Sequence, residues 1–192
     1  MWKNSTVFCG VDEAGRGALA GPVVAAAVLL EPGDEIDGVE DSKKLSPRRR
    51  QELSMTIKDR ARSWSVCLST HSVIDNVNIL QATFRAMRRA VSRLEPIPEL
   101  VLVDGRAIPG LMVGCRGVTG GDRKSISIAC ASILAKVHRD FIMERLGQRY
   151  PGYGFARHKG YPTRAHVLAL RSNGPSPVHR QTFGPVRDCV LS

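Results

Sequence analysis

The 192-residue sequence predicts one α/β domain with a mixed central sheet flanked by helices. Short, continuous apolar or β-branched runs, typical of buried strands, occur between longer segments whose apolar residues recur every three or four positions, as in helices. The first two strand-like runs follow one another with no helix between them, whereas helical segments separate the later ones. This order favours a sheet with both antiparallel and parallel pairs. The sequence has no internal repeat and no linker, so we treat residues 1–192 as a single domain.

Five stretches have the composition of strands. Residues 23–30, VVAAAVLL, are apolar throughout, which is typical of a strand that is buried on both faces. The run LVLV at residues 100–103 has the same character, and the β-rich run at residues 64–69 alternates as a strand does. The predicted strands are residues 7–11, 23–30, 64–69, 100–103 and 111–115.

Helices are predicted where the apolar positions form one stripe. Ser46 and Pro47 are typical of an N-cap and of the first helical position, so a helix is expected to begin there. Residues from about 150 to 192 predict a small C-terminal helical region packed on the domain. The remaining helical segments are predicted at 72–76 (a short turn or helix), 78–94, 125–149 and 164–171, with a final short helical turn.

The composition indicates a basic protein that binds a polyanion. Lys and Arg number 28 against 18 Asp and Glu, which gives a net charge of +10. Such a charge suits nucleic acid, although a basic protein without such a partner has the same composition. The longest apolar run, residues 22–30, is too short to span a membrane, and the N-terminus lacks the apolar stretch of a signal peptide, so we expect a cytoplasmic protein with no membrane partner. Five widely spaced cysteines without a CxxC pair predict reduced thiols rather than disulfides or a zinc site.

Acidic residues stand where predicted strands end. The first strand finishes on Asp12 and Glu13, the LVLV strand finishes on Asp104, and Asp122 precedes the long helix. Because ligands in open α/β sheets gather where strand ends meet, we expect these four side chains to converge. Each has a simpler explanation on its own: a solvated strand end for the first pair, a turn for Asp104 and a helix cap for Asp122.

Four converging carboxylates would suit Mg²⁺ or Mn²⁺ rather than zinc, which prefers His and Cys. Two such ions about 4 Å apart activate a water and stabilise the leaving oxygen during in-line attack on a phosphodiester. A basic surface would hold the flanking phosphates. The residues therefore predict metal-dependent phosphodiester hydrolysis with two divalent ions present when substrate is bound.

Neighbouring residues on a regular strand point to opposite faces, so Asp12 and Glu13 cannot both aim at one site if the strand continues. Either the strand stops or bulges there, or Glu13 offers its backbone carbonyl; we expect a broken strand. The spacing Gly15-x-Gly17 also resembles a dinucleotide-binding loop. That interpretation is rejected because the third glycine, Gly21, comes one residue too late and a strand follows it.

The motifs DEAGRG, VLVDG, SIACASILAKVHRD, YGFARHKGYPT and HRQTF resemble those of type 2 ribonuclease H, the bacterial ribonuclease HII family. The resemblance extends over nearly the whole chain. It implies a ribonuclease H-like fold and an endonuclease that hydrolyses the RNA strand of RNA–DNA hybrids. It also implies cutting 5′ of single ribonucleotides embedded in duplex DNA, leaving 3′-hydroxyl and 5′-phosphate ends.

The resemblance also implies roles for individual residues. Asp12, Glu13, Asp104 and Asp122 match the catalytic, metal-binding acids of the family. Gly15, Arg16 and Gly17 match the loop that reads the 2′-hydroxyl, the group that separates ribose from deoxyribose, with help from Tyr161. Lys43 and Lys44 are expected to contact phosphates, and Asp140 is expected to be structural and paired with a nearby base.

Two further interpretations stay open. One is a non-catalytic RNA–DNA hybrid-binding protein with the same fold, and the other is a related metal nuclease that acts on DNA junctions. For the enzyme we expect a monomer whose partners are RNA–DNA hybrid and ribonucleotide-containing duplex DNA, with Mn²⁺ or Mg²⁺ as cofactor.

Overall fold

A computed structural model describes residues 7–31, 33–34, 36–39 and 45–190. Within them, five strands form one sheet, and six helices and a single 3₁₀ turn surround it. The strands are β1 (Phe8–Ala14), β2 (Val23–Leu29), β3 (Ser63–Ser69), β4 (Leu100–Asp104) and β5 (Gly114–Val118). The helices are α1 (Pro47–Arg60), α2 (His71–Val91), α3 (Ile126–Arg149), α4 (Phe155–His158), α5 (Arg164–Asn173) and α6 (Gly184–Val190), with the 3₁₀ turn at Gly121–Arg123.

The sheet is mixed, as predicted, and β1 lies at its centre. The strand order is β3-β2-β1-β4-β5. β1 and β3 each pair antiparallel with β2, whereas β4 pairs parallel with both β1 and β5. Pairing of β1 with β4 ends at Val11, but pairing with β2 continues to Ala14. The last residues of β1 therefore extend past β4, which leaves space beside them at the edge where β4 ends.

The two faces of the sheet carry different helices. Val11 and other alternate residues of β1 pack into a cluster with α2 residues such as Met87. The opposite face is covered by α1 and α3, whose apolar residues form a second cluster with Ala14. A Cβ added to Gly10 would lie 2.2 Å from the α3 backbone nitrogen of Ile128. Helix α3 therefore rests directly on β1, and this contact fixes the surroundings of the side chain two residues later, Asp12.

Most predicted elements occur, with shifted ends. Ser46 caps α1 as expected, since its hydroxyl accepts from the amide of Arg49 at 3.2 Å. Helix α2 is kinked at Asn78, whose φ of 68° separates the two helical segments that the sequence predicted. β5 begins at Gly114 instead of residue 111, because its register is set by pairing with β4 rather than by local apolar content. The short helix α4 was not predicted.

The C-terminal helical region packs on the segment between β1 and β2. The amide of Leu19 donates to Gly160 at 2.8 Å and that of Gly21 donates to Val178 at 2.9 Å. In return, the amide of Arg180 donates to Leu19 at 2.8 Å. These bonds place residues from both ends of the sequence beside the carboxyl end of β1.

Two predictions about chemistry have direct counterparts in the fold. All five cysteines are free thiols, as expected for reduced residues. In the described part of the chain, no helix is long and apolar enough to cross a membrane.

Candidate active site

Asp12 is a carboxylate that is held in the interior beside other acids. It lies on β1, on the face covered by α3, and is 6% exposed. The pKa of its carboxyl is raised from 3.8 to about 7, mainly by burial and also by the charges of Glu13 and Asp104, while hydrogen bonds from the Ser132 hydroxyl and the Glu13 amide act in the opposite direction. A buried acid among acids favours the ionised form only when a cation is supplied.

Glu13 lies on an unbroken strand, so our expectation of a break there was wrong. Asp12 pairs with Ala26 and Glu13 with Ala25 in regular antiparallel register. The hydrogen-bonded pairing of β1 with β2 continues through Glu13 without a bulge, opposite small residues of β2. The Glu13 carboxylate consequently points away from the α3 face, where it meets the guanidinium of Arg16 at 3.5 Å. Its backbone carbonyl, like those of any regular strand, lies in the plane of the sheet.

A hydrogen bond connects Asp104, at the end of β4, to the 3₁₀ turn that contains Asp122. Asp104 is the last residue of β4, and its Oδ1 accepts from the amide of Gly121 at 2.7 Å. Asp122 follows within the 3₁₀ turn and is 9% exposed. A Cβ on Gly121 would lie 3.4 Å from the Asp104 oxygen and 2.6 Å from Ile128, so the absence of a side chain there permits this close approach.

The structure brings the acids into one region without closing a metal site. Glu13 and Asp104 are both near enough for their charges to act on the Asp12 carboxyl. Nevertheless, among the described residues no three His, Cys, Asp or Glu side chains are placed to hold a metal ion. Our expectation that four side chains would share one tight pocket is therefore not met. The physical reason lies in the regular strand at Glu13 and in the bond that occupies one oxygen of Asp104.

The glycine–arginine loop follows directly on the acids. Gly15 has a φ of 95° and is buried, whereas Arg16 and Gly17 are exposed. A Cβ at Gly15 would lie 1.8 Å from Nε of Arg139, so only glycine allows the chain to rest on that guanidinium. Apart from its chain neighbours, no atom of the described residues lies within 4 Å of the Cβ position of Gly17, so its exposed backbone is open to a ligand.

Tyr161 lies on the same guanidinium. The Arg139 guanidinium is 5.2 Å from the centre of the tyrosine ring, within the range of a cation–π contact. The Tyr161 carbonyl accepts from Nδ1 of His166 at 2.9 Å. Tyr161 is 36% exposed. The residue therefore contacts Arg139 and remains accessible to a ligand. The structure thus places the glycine–arginine loop and Tyr161 side by side, although they are far apart in the sequence.

The other predicted residues divide into two groups. Lys43 and Lys44 lie outside the described residues. Asp140 pairs with Lys136 one helical turn away and with Arg50 of α1 at 3.8 Å, which confirms its expected structural pairing with nearby bases.

Three residues near the site were missed from the sequence. Ser132 bonds to Asp12, while Arg139 and Arg180 lie fully buried beneath the loop that follows β1. Arg139 could have been noticed as a charged residue on the inner face of α3, seven positions after Ser132. The HRQTF motif that contains Arg180 was recognised, but nothing in its local pattern indicates that the arginine points inward.

Comparison with known proteins places this geometry in a family. The family model described as Ribonuclease HII matches residues 9–186. The curated "Ribonuclease HII" of Dechloromonas aromatica is 56% identical over 180 residues, covering 94% of this chain and 92% of the relative. That of Acinetobacter baylyi is 52% identical over 182 residues, with coverage of 94% and 96%.

A solved structure agrees over the same length. The RNase HII in the structure of the PCNA:RNase HII complex from Archaeoglobus fulgidus superposes with a TM-score of 0.77 at 29% identity, covering 94% of this chain and 96% of that one. The ribonuclease H-like fold and the resemblance seen in the motifs are both confirmed. The chain belongs to the ribonuclease HII family.

Proposed function

We propose that this chain is a metal-dependent endoribonuclease. It hydrolyses the RNA strand of RNA–DNA hybrids and cuts 5′ of single ribonucleotides in duplex DNA, leaving 3′-hydroxyl and 5′-phosphate ends. The observation that carries the proposal is the Asp12 carboxyl, buried beside Glu13 and Asp104 in a chain of net charge +10. A cation bound beside such a group favours its ionised form, and the basic chain attracts the phosphates that would accompany that cation.

The donor set fits a hard divalent ion. Carboxylate oxygens are the ligands that Mg²⁺ and Mn²⁺ prefer, and Asp12, Glu13, Asp104 and Asp122 supply them. The Gly121 amide occupies only one oxygen of Asp104, so the other oxygen can bind an ion. Glu13 can supply its backbone carbonyl or, after a rotamer change, its carboxylate. When bound, two such ions supply a nucleophilic water and neutralise charge on the reacting phosphate.

The remaining residues of the site bind and orient the substrate. Ser132 holds the Asp12 carboxylate in place from α3. The open backbone at Gly17, with Gly15 and Arg16, approaches the ribose 2′-hydroxyl, and the accessible face of Tyr161 supports the neighbouring sugar. Lys43 and Lys44 neutralise flanking phosphates, which stabilises binding through release of counterions.

A cleavage assay with matched duplexes tests the proposal. Three labelled duplexes of one sequence are compared: all DNA, DNA with one ribonucleotide, and an RNA–DNA hybrid. We expect Mg²⁺- or Mn²⁺-dependent cutting of the last two, inhibition by a chelator, and products with 3′-hydroxyl ends. Equal cutting of the all-DNA duplex would identify a DNA nuclease instead.

One observation favours a second candidate, a non-catalytic hybrid-binding protein. It is the lack of a formed metal group in the described part of the chain. Tight binding of the hybrid without cleavage at any divalent-ion concentration would support that candidate.

We also propose that the enzyme works as a monomer in the cytoplasm. Light scattering with and without duplex tests whether it is a monomer.

A further inference from the structure

Two arginines are buried beneath the loop that follows β1. Arg139 of α3 and Arg180 of the C-terminal region are both fully buried. Neither forms an ion pair with a carboxylate in the described residues; both donate instead to backbone carbonyls. Burial lowers the pKa of each guanidinium, and for Arg180, where the charge of Arg139 lowers it further, the value is about 9. Two buried like charges are unfavourable unless their hydrogen bonds are well satisfied, so an organised set of acceptors is required.

The acceptors belong almost entirely to one segment, residues 15–22. Arg180 donates to the carbonyls of Gly15 at 2.8 Å, Arg16 at 2.9 Å and Gly21 at 3.0 Å. Arg139 donates to Pro22 at 3.1 Å and Ala20 at 3.3 Å. The two guanidiniums thereby fix both ends of the 15–22 loop from inside. Their planar forks suit this task, because each presents several donors in a rigid arrangement.

Arg139 also contacts the segment that contains Tyr161. Arg139 donates to the carbonyl of Lys159 at 2.9 Å and lies beneath the ring of Tyr161. The amide of Leu19 in the loop bonds to Gly160. Any shift of the Arg139 guanidinium would therefore displace the loop and Tyr161 together.

We propose that Arg139 and Arg180 are positioning residues that set the preference for a ribonucleotide. They hold the 15–22 loop and Tyr161 at a fixed spacing, so that one ribose 2′-hydroxyl is read from both sides. This inference rests on the proposed function, since it assigns a cause to the selectivity of that activity. It also predicts that a duplex with a single ribonucleotide, which offers only one register, depends on this spacing more than a hybrid with many.

The experiment compares Arg180→Lys and Arg139→Lys with a matched control. Lysine keeps the charge but loses the fork. The control is Thr182→Val, because the neutral Thr182 hydroxyl donates to Asp75 at 2.8 Å and anchors the same C-terminal segment without changing any charge near Arg180. Cleavage at saturating and limiting substrate is measured on the single-ribonucleotide duplex and on the hybrid, so that kcat and KM are separated for each.

We expect each lysine variant to lose about tenfold to hundredfold in kcat on the single-ribonucleotide duplex relative to the hybrid, as small misplacements of a positioning group do. Thr182→Val should alter cleavage of both substrates by the same factor. A purely structural role would reduce the active fraction and lower both rates equally, without changing their ratio. An unchanged ratio in folded lysine variants would overturn the proposal.

Hydrogen–deuterium exchange gives a readout that is independent of activity and that can also be made on the wild-type chain alone. In the wild-type chain, the amides of Leu19 and Gly21 should be protected as strongly as those at the centre of α3. In Arg180→Lys, exchange within the 15–22 loop should rise while α3 is unaffected. Rapid exchange of the loop in the wild type would overturn the positioning role even if the lysine variants did not fold. A wild-type chain that cuts none of the duplexes would instead contradict the proposed function, and exchange alone would then decide on the arginines.

Discussion

Two neighbouring regions of the molecule hold charges of opposite sign. The acid region comprises Asp12, Glu13, Asp104 and Asp122, and the 15–22 loop that follows β1 rests on Arg139 and Arg180. Around Asp12, burial raises the pKa of the carboxyl to about 7, and the neighbouring charges of Glu13 and Asp104 contribute to that rise. Beneath the 15–22 loop, buried positive groups are satisfied by backbone carbonyls. The first region is completed only by a ligand, whereas the second is organised before any ligand arrives. We therefore propose that the acid region needs a bound ion for catalysis, whereas the fold itself positions the loop for recognition of the substrate.

The largest expected effect comes from removing a charge in the acid region. Asp104→Asn keeps the shape of the side chain and an acceptor for the Gly121 amide but removes a carboxylate that we propose binds the metal. We predict a loss of cleavage of at least about 10²–10³-fold, since electrostatic stabilisation of the reacting phosphate is the dominant contribution. Duplex binding, measured by fluorescence anisotropy, should survive because the 15–22 loop is untouched. Near-normal turnover in this variant would separate Asp104 from the chemistry.

A second variant tests the support of the acid region. Ser132→Ala removes the hydroxyl that bonds to Asp12, and we predict a loss of about 10–100-fold in activity or metal affinity, as for other groups that orient a ligand. The matched control is Ser65→Ala, which removes a buried serine bonded to Ala90 on the other side of the sheet. Equal effects of the two substitutions on activity would mean that Ser132 contributes only to packing.

The recognition region should respond selectively. For Tyr161→Ala we predict a decrease of about tenfold in cutting of the single-ribonucleotide duplex, the loss expected from one base- or sugar-stacking contact of about 1–3 kcal/mol. Cutting of the hybrid should change less, because many ribose positions offer alternative registers. Steady-state kinetics on both duplexes, with the partly exposed Tyr150→Ala as control, measures the difference. Equal losses on every substrate would indicate a packing role for Tyr161.

The smallest expected effect is on stability in acid. His166 donates from Nδ1 to Tyr161, so its Nε2 accepts from Nε2 of His179, and Nδ1 of His179 accepts from the amide of Ser176. Burial lowers the pKa of His179 from 6.5 to about 4, with the neighbouring His166 contributing. Because the unfolded chain binds this proton first, stability is full above pH 6.5 and is lost as the pH falls toward about 4. Thermal denaturation across that range, compared with His179→Gln, measures the contribution; a variant with the same pH dependence would contradict it.

These two regions also show how far the sequence could be interpreted alone. The acids at Asp12, Glu13 and Asp104 were identified because strand ends and turn residues are local features. The direction of the Glu13 side chain was not, because β2 keeps β1 regular through tertiary pairing that no local pattern reports. Likewise, the burial of Arg180 depends on a bond to Gly15, 165 positions earlier in the chain. Local chemistry was predictable, whereas the compensation of buried charge required the fold.

The central claim is that the acid region is an incomplete cation site, and divalent-ion binding by the free protein tests it most directly. Because the pKa of Asp12 is raised from 3.8 to about 7, the metal-free protein loses stability as the pH rises from 3.8 to about 7, and a bound cation should restore that stability above this range. Thermal denaturation at pH 8 with increasing Mn²⁺ should therefore show a saturable rise in Tm in the wild type, a much smaller rise at pH 5, and none in Asp104→Asn. A Tm that responds equally to Mn²⁺ in both proteins and at both pH values would contradict the account.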